Sequence, residues 1–501
     1  MSEPALRVLF AAAECAPLVK VGGLGDVSAA LPRALREAGV DVRVLLPGYR
    51  AVIDAIGRRR AGRIPSIPGI AGTGATRLVE ADLPDGVPLI VIDNPSLFDR
   101  PGGPYQDPQG VDWPDNPLRF GLLSKVAALL ATDATPLAWR PDVLHCNDWH
   151  TALAAAFLRH AGPQARDCAT VQTVHNLAYQ GSFAPEWVAR LGLPSSSHAP
   201  QGLAFHDGMS FLEAGLRFAD AITTVSPTYA REILTVGKGC GLEGLLRARE
   251  PMLFGILNGI DTAVWNPAQD RAIAQRYDRS SLESKAVNKA ALQAAMGLER
   301  SPGVPLLAVI SRLVAQKGID LVADIGARLT RLPAQLAVLG MGDAELEGRL
   351  RQLAAGQPGA IAVHVGFDEA LAHRIEAGAD ALLMPSRFEP CGLNQMYSQR
   401  YGTLPIVHGT GGLADTVVDC TPGTLAAGTA TGFVLGEASA VALYQAIERA
   451  TVAYRDPALW RALQANAMAR DFGWAGAARR YLDVYVAALD EATGRRPAGM
   501  P

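Results

Sequence analysis

The sequence predicts an α/β protein of two doubly wound domains facing each other across a cleft. Three observations carry this. The first fifty residues read strand, glycine turn, helix, strand, which is a βαβ unit. A second series of strands and helices joined by short loops begins after "MLFGILNGID", and such alternation implies a parallel sheet with helices on both faces. Finally, 501 residues are too many for one ordinary core, and 49% hydrophobic with 19% charged residues suits buried parallel strands.

Taken in order, "RVLFAAA" reads as a buried strand, "VSAALPRALREAG" as an amphipathic helix closed by Gly39, and "VDVRVLLP" as the next strand. Residues 60–120 turn rich in Pro, Gly and Asp and predict loops and shorter strands. "PLRFGLLSKVAALLATD" is helical, and "PDVLHCNDWH" and "ATVQTVHNLAYQG" are strands with polar C-terminal ends. In the second series the strands are "VPLLAVISRL", "AQLAVLGMG", "IAVHVGF", "ADALLMPS" and "LPIVHG". Between them lie the helices "KGIDLVADIGARLTRL", "DAELEGRLRQLAA", "DEALAHRIEAGA" and "NQMYSQRYG", and "GGLADTVVD" opens another. The terminal "GWAGAARRYLDVYVAALDEA" is an amphipathic helix with "GRRPAGMP" as a frayed tail. The reading divides the chain into residues 1–255, 256–473 and 474–501.

Several function classes are excluded. A net charge of −3 without a long basic run argues against nucleic acid. The N-terminus lacks the basic leader and long apolar run of a signal peptide, and no apolar stretch is long enough to span a membrane. The 6 cysteines form no C-x-x-C pair, which predicts a reduced, cytoplasmic setting without structural zinc or disulfides.

Candidate chemistry sits at strand ends. "KVGGLGDV" follows the first strand but fits neither the G-x-x-x-x-G-K-[ST] nor the G-x-G-x-x-G template. It serves equally as a phosphate cradle with Lys20 as point charge, or as a plain strand-to-helix turn with a solvated lysine. Arg312 and Lys317 in "ISRLVAQKG" are either two surface cations or, facing the Lys20 loop, clamps for a pyrophosphate. In "MPSRFEPCGLNQ", Glu389 is either a helix-capping carboxylate or an acid that stabilises a cationic sugar transition state, and Cys391 reads as a packed thiol. His145, His150 and His175 end strands, but their spacing does not put two imidazoles on one helical face. No D-x-D pair offers a metal–diphosphate clamp, so no metal is expected.

The segments "KVGGLGDV", "VHNLAYQG", "SPTYAREI", "ILNGID", "SRLVAQKG", "PSRFEPCGLNQMY" and "YGTLPIVHGTGGLADTV" occur in an order, from Lys20 to about Val418, that resembles the bacterial glycogen synthase and plant starch synthase family. The resemblance implies the GT-B fold of two Rossmann-like domains, with the last helix crossing back onto the N-terminal one. It implies that Lys20, Gly22, Gly23 and Asp26 meet the donor's phosphates and glucose. Arg312 and Lys317 would bind the diphosphate, and Glu389 would be the essential acid beside the donor sugar. His175 would contact the transferred glucose, and Asp148 and Asn258 would be further cleft residues. Backbone amides around Cys391, Gly392, Leu393 and Asn394 would complete the cradle, and Phe367 would stack on adenine. The chain departs from common members at Asn147, where a second histidine is frequent. It departs again at Phe367–Asp368, where tyrosine then histidine is frequent.

The implied activity is glycosyl transfer with retention: glucose passes from ADP-glucose to the non-reducing 4-OH of an α-1,4-glucan such as glycogen, and ADP leaves. No cofactor is expected, because three cations would neutralise the leaving group. Glu389 is open between electrostatic stabiliser, orienting group and nucleophile. Two other readings are a UDP-glucose-dependent transferase and a glucan- or nucleotide-binding module that kept the fold. The full set of cations, acid and histidine speaks against the module. A phosphorylase would need pyridoxal phosphate on a Schiff-base lysine.

Overall fold

The computed structural model describes residues 5–57, 61–67, 69–70, 72–162, 168–194, 204–205, 208–329 and 331–494. Two compact units emerge, Met1–Gly259 with Trp474–Pro501, and Ile260–Gly473. Apart from Gly494, the expected tail "GRRPAGMP" lies outside the described residues.

In the first unit the strands are β1 (Arg7–Ala11), β2 (Asp41–Pro47), β3 (Ala61–Ile67), β4 (Thr76–Asp82), β5 (Pro88–Asp93), β6 (Val143–Asn147) and β7 (Ala169–Val174). Three short strands follow, β8 (Ser182–Phe183), β9 (Ala204–Phe205) and β10 (Gly208–Ser210), then β11 (Ala221–Thr224) and β12 (Leu253–Gly255). Nine of these make one sheet in the order β12-β11-β7-β6-β1-β2-β5-β4-β3. Neighbours from β12 to β5 are parallel, and β4 and β3 add an antiparallel edge. The central strand β1 is apolar after Arg7 because both faces of the sheet are covered: Val8, Leu9, Phe10 and Ala11 are all fully buried, whereas β6 and β7 also bury polar side chains such as His145, Asn147 and Gln172.

The first helix starts earlier than the sequence predicts. It spans Gly23–Glu37, so Gly23 and Gly25 belong to its first turn and not to a loop before it. Pro32 lies inside this helix and has no N–H to give the carbonyl of Ser28. The Cys15 thiol donates to that carbonyl instead, at 3.5 Å. The last helix, Trp474–Gly494, packs on Gly23–Glu37 and on β7. Trp474, Tyr481 and Tyr485 join the first unit's core, and the Tyr485 hydroxyl meets His145 Nδ1 at 2.8 Å.

The second unit holds β13 (Leu306–Ile310), β14 (Gln335–Gly340), β15 (Ile361–Val365), β16 (Ala381–Met384), β17 (Leu404–His408) and β18 (Phe433–Leu435). They form a six-stranded, wholly parallel sheet in the order β15-β14-β13-β16-β17-β18. This is the doubly wound order, with its reversal of winding between β13 and β16. A buried ion pair braces its start. Lys289, on the helix Lys285–Met296, reaches Asp380 Oδ2 at 2.7 Å, and the same carboxylate oxygen accepts from the Leu306 amide at 2.8 Å. Among the described residues no helix is long and apolar enough to cross a membrane.

Candidate active site

Each sheet reverses its winding beside its first strand, between β1 and β6 and between β13 and β16. In open parallel sheets the C-terminal strand ends at such a reversal leave a crevice where ligands bind. Most residues singled out from the sequence lie on the loops that leave these strands, so each unit presents its own cluster.

In the first unit, Glu14 follows β1 and is buried. Its Oε2 accepts from the amides of Val21 at 2.6 Å and Gly22 at 3.0 Å, and its Oε1 from the Tyr105 hydroxyl. The turn before the helix is thus shaped by an internal carboxylate, and the Gly22 amide expected to face a phosphate is already taken. By helix geometry the N–H groups of Gly23 and Leu24 have no partner within the helix and remain the donors of this end. Lys20 pairs with Asp26 at 2.7 Å, both partly exposed. Its stem runs against Gly25, where a Cβ would sit 3.1 Å from Lys20 Cγ, so glycine is what lets the lysine fold over the helix start.

Asp148 follows β6 with a φ of 54°, and its Oδ1 accepts from the backbone amide of His175 at 2.7 Å. Burial pushes this carboxyl up to about 7, against the pull of the His175 and Asn176 amides. Asn147 donates to Ala11 O at 3.1 Å, so its Oδ1 faces His175 Nε2 at 3.0 Å. That assigns the proton to Nε2 and leaves Nδ1 as the acceptor nitrogen. Asparagine at 147 therefore holds the tautomer of the half-buried His175, whose protonation burial lowers to about 3. His145 is also lowered to about 3 by burial, and it bridges Tyr485 and Thr173 as a structural histidine. His150 stacks on Tyr105 with ring centroids 4.7 Å apart. Among the described residues no three His, Cys, Asp or Glu side chains gather as a metal-holding group.

In the second unit, Lys317 ends a short turn after β13 and Glu389 follows β16. Lys317 Nζ donates to Glu389 Oε1 at 2.8 Å and Oε2 at 2.6 Å, and Ser386 Oγ donates to Oε2 at 3.0 Å. The carboxylate is 5% exposed and belongs to this ion pair, not to a helix cap; the helix Asn394–Arg400 has no side-chain cap. The Asn394 side chain instead donates to Ile310 O at 2.6 Å, tying that helix start to the end of β13. Arg312, on the same turn as Lys317, is exposed, while Cys391 is buried and Gly392 has a φ of 70°.

Two residues stand apart. Asn258 follows the edge strand β12, buried with its Oδ1 unpartnered. Phe367 follows the other sheet's edge strand β15 and is 78% exposed. Asp368 accepts from the Leu371 amide at 2.8 Å and caps the helix Glu369–Gly378, a local reason for an acid there. Sequence reasoning missed Glu14, Tyr105 and Ser386. Ser386 sits in the quoted "PSRFEP" run, whereas Glu14 and Tyr105 lie 91 residues apart and nothing local joins them.

The glycines of "GTGG" press on the backbone that carries Glu389. A Cβ on Gly412 would lie 2.0 Å from Cys391 O, and the Gly412 amide donates to Pro390 O at 3.1 Å. Gly412→Ala is expected to displace residues 389–391, costing about 1–3 kcal/mol of stability and roughly tenfold or more in turnover. Calorimetry and initial rates on the purified variant check this.

The buried groups of the first unit also set an acid limit. From about pH 6.5 down to about 4, the unfolded chain protonates His145, His150 and His175, which burial keeps neutral in the fold. Asp148 opposes them, since its folded pKa is raised and the fold keeps a proton there that the unfolded chain releases. Three groups against one leaves the unfolded chain binding two more protons, so these four groups lower stability on acidification by up to about 2.7 kcal/mol per pH unit. Asp148→Asn removes the opposing group and is expected to steepen the fall of Tm below pH 6.5; a shallower fall would contradict the sign.

The fold and the two clusters, basic groups and a buried acid at paired reversal points, are those of a glycosyltransferase of the GT-B type. Two family models agree: "Starch synthase catalytic domain" matches residues 7–248 and "Glycosyl transferases group 1" matches residues 297–452. The chain belongs to the glycogen synthase family. It is 52% identical to the glycogen synthase of Nitrosospira multiformis over 98% of this chain and 99% of that one. It is 55% identical to the glycogen synthase of Aromatoleum aromaticum over 96% and 97% of the two chains. Among solved structures, the catalytic domain of starch synthase IV from Arabidopsis thaliana bound to ADP and acarbose has a TM-score of 0.87 at 32% identity, covering 97% of this chain and 100% of that one. Sucrose-phosphate synthase from Thermosynechococcus elongatus shares the fold, with a TM-score of 0.58 at 18% identity and coverage of 96% and 98%.

Proposed function

We propose that the chain extends an α-1,4-glucan by retaining transfer of glucose from ADP-glucose. The bond between glucose C1 and the β-phosphate oxygen breaks, and a bond from C1 to the acceptor's non-reducing O4 forms. The acceptor hydroxyl proton leaves with ADP or to solvent. Negative charge grows on the departing phosphate, and Arg312, Lys317 and Lys20 answer it, so no resident metal or cofactor is required in this reading.

The observation that carries the proposal is the buried Glu389 carboxylate with both oxygens held by Lys317 and one by Ser386. A carboxylate so engaged is a poor nucleophile and a well-fixed negative field, which supports its role as stabiliser of the oxocarbenium-like sugar. The Lys317 ammonium beside it has a second task, to share its charge with the donor's diphosphate. In the first unit, His175, held in one tautomer by Asn147, presents an acceptor nitrogen for a sugar hydroxyl, with Asp148 fixing its backbone. Phe367 offers an exposed aromatic face to a nucleobase. The binding of ADP and acarbose by the Arabidopsis neighbour is in keeping with this assignment. All six cysteines are free, in keeping with a reducing, cytoplasmic setting.

The test is release of nucleoside diphosphate in the presence of glycogen, with ADP-glucose and UDP-glucose compared side by side. Glycogen-dependent ADP release with ADP-glucose clearly preferred is expected. Preference for UDP-glucose would move the donor assignment to Phe367 and Asp368, and turnover of neither donor would overturn the proposal.

A further inference from the structure

We infer that the first unit carries a second binding site, for the phosphate group of a small metabolite, in a cavity at the ends of β2 and β5. This site is independent of the transfer reaction. The cavity measures about 260 Å³ and is walled by Tyr49, Phe98, Arg100, Arg119 and, at one side, Val19. It falls below the roughly 300–1,000 Å³ of drug-sized sites, so its occupant is compact.

Arg119 carries the argument. It is 1% exposed, and its guanidinium meets only neutral acceptors: Nε donates to Leu97 O at 3.0 Å, and Nη1 to Pro104 O at 2.8 Å and Asn116 Oδ1 at 2.7 Å. Nη2 has no hydrogen-bond partner among the described residues. Asp115, whose field reaches Arg119, is already gripped by Arg100 at 2.7 Å, and Arg50 on the cavity wall is paired with Asp99 at 2.7 Å. Asp54 also faces the cavity and makes no ion pair with Arg119. The Tyr49, Phe98 and Phe120 rings lie 5.5–5.9 Å from the Arg119 Cζ and offset part of the cost of burying this charge, but it has no carboxylate partner, and an anion would answer it more fully. A second observation points the same way. The Tyr49 hydroxyl is buried without a partner, on a residue 6% exposed in the same wall. The free Arg119 edge beside Arg100 suits an oxygen of a tetrahedral oxyanion, with the Tyr49 hydroxyl sealed just behind the wall, while the Tyr49 and Phe98 rings, in edge contact at 5.6 Å, wall the space for a compact organic body.

The site also borders the Lys20 turn. Val19 exchanges backbone hydrogen bonds with Cys15, at 2.9 and 3.0 Å, and directly precedes Lys20. An occupant is therefore one residue from a cation assigned to the donor.

The test is titration calorimetry on the full chain with inorganic phosphate, fructose 6-phosphate and, as the neutral control, fructose. Ala51 is exposed at the cavity mouth, so Ala51→Trp fills the site without touching the core. Tyr49→Phe removes only the hydroxyl. Expected is one-to-one binding of a phosphate probe, weakened by about tenfold or more in each variant, with ADP affinity unchanged. Fructose 6-phosphate binding more tightly than phosphate would assign a sugar phosphate, and equal affinities would assign free phosphate; both support the site. No binding of either phosphate probe, or binding undiminished in Ala51→Trp, would overturn it and leave Arg119 as a brace for the Leu97 and Pro104 carbonyls.

Discussion

Glu389→Gln is expected to lower kcat on the order of 10²–10³-fold, as the loss of one fixed electrostatic group does elsewhere, while the fold persists. The amide keeps the size of the side chain and an oxygen for Ser386 Oγ, so packing is preserved. What disappears is the negative charge that Lys317 holds with two hydrogen bonds. Removing Lys317 instead, as Lys317→Met, takes away the diphosphate cation and releases the carboxylate from its fixed position. The two side chains act as a unit, so the double variant is expected to lose little more than the worse single one. Rates at saturating donor, with a Tm for each variant, check this. Additive losses would mean that the pair is not coupled in the reaction.

The largest expected effect on stability lies elsewhere. Lys289→Met leaves Asp380 buried against the start of β13 with its cation gone. The pair is shielded, with side chains 7% and 10% exposed, so breaking it is expected to cost roughly 3–5 kcal/mol. At about 2–4 °C of Tm per kcal/mol for a unit of this size, its calorimetric transition falls by roughly 6–20 °C. Asp380 also accepts the Leu306 amide, which an asparagine oxygen can still do. Adding Asp380→Asn to the lysine variant therefore removes the uncompensated charge and is expected to recover part of the loss. A double variant no more stable than the single would place the stabilisation in the other contacts of Lys289, such as Tyr454 at 2.9 Å.

Much of the second unit was legible from local pattern. Each strand of its parallel sheet from β13 to β17 is a short apolar run bounded by turn residues, and the predicted helices lie between them. Its later part was not read: β18 is only three residues, and the helices Ala440–Tyr454 and Pro457–Met468 follow one another without a strand between them. In the first unit, β3 to β5 were expected only as loops and shorter strands, because antiparallel pairing and long-range register leave no local signature. The division between units lies at Gly259 and Ile260, near the predicted boundary, where a long irregular segment blurs the pattern.

The site divides along the same line. Arg312 is a lone cation just past the strand β13, Lys20 stands two residues before Gly22, and Lys317 and Glu389 are visible as charges next to a glycine and a proline. Their pairing is not: whether Glu389 caps a helix or holds a lysine depends on how β13 and β16 lie side by side, which only the sheet order settles. Asn147 looked like a lost histidine, yet its amide is what fixes His175. Glu14 has no local signal, because its partners Val21, Gly22 and Tyr105 come from two separate loops.

The most direct measurement is to incubate the protein with glycogen and ADP-glucose labelled in the sugar, then digest the product with β-amylase, which removes maltose from non-reducing α-1,4 ends. The account predicts label entering the polymer in step with ADP release and leaving it as maltose. Label lost as free glucose, or locked in a polymer that β-amylase does not attack, would contradict retaining transfer to the non-reducing 4-OH.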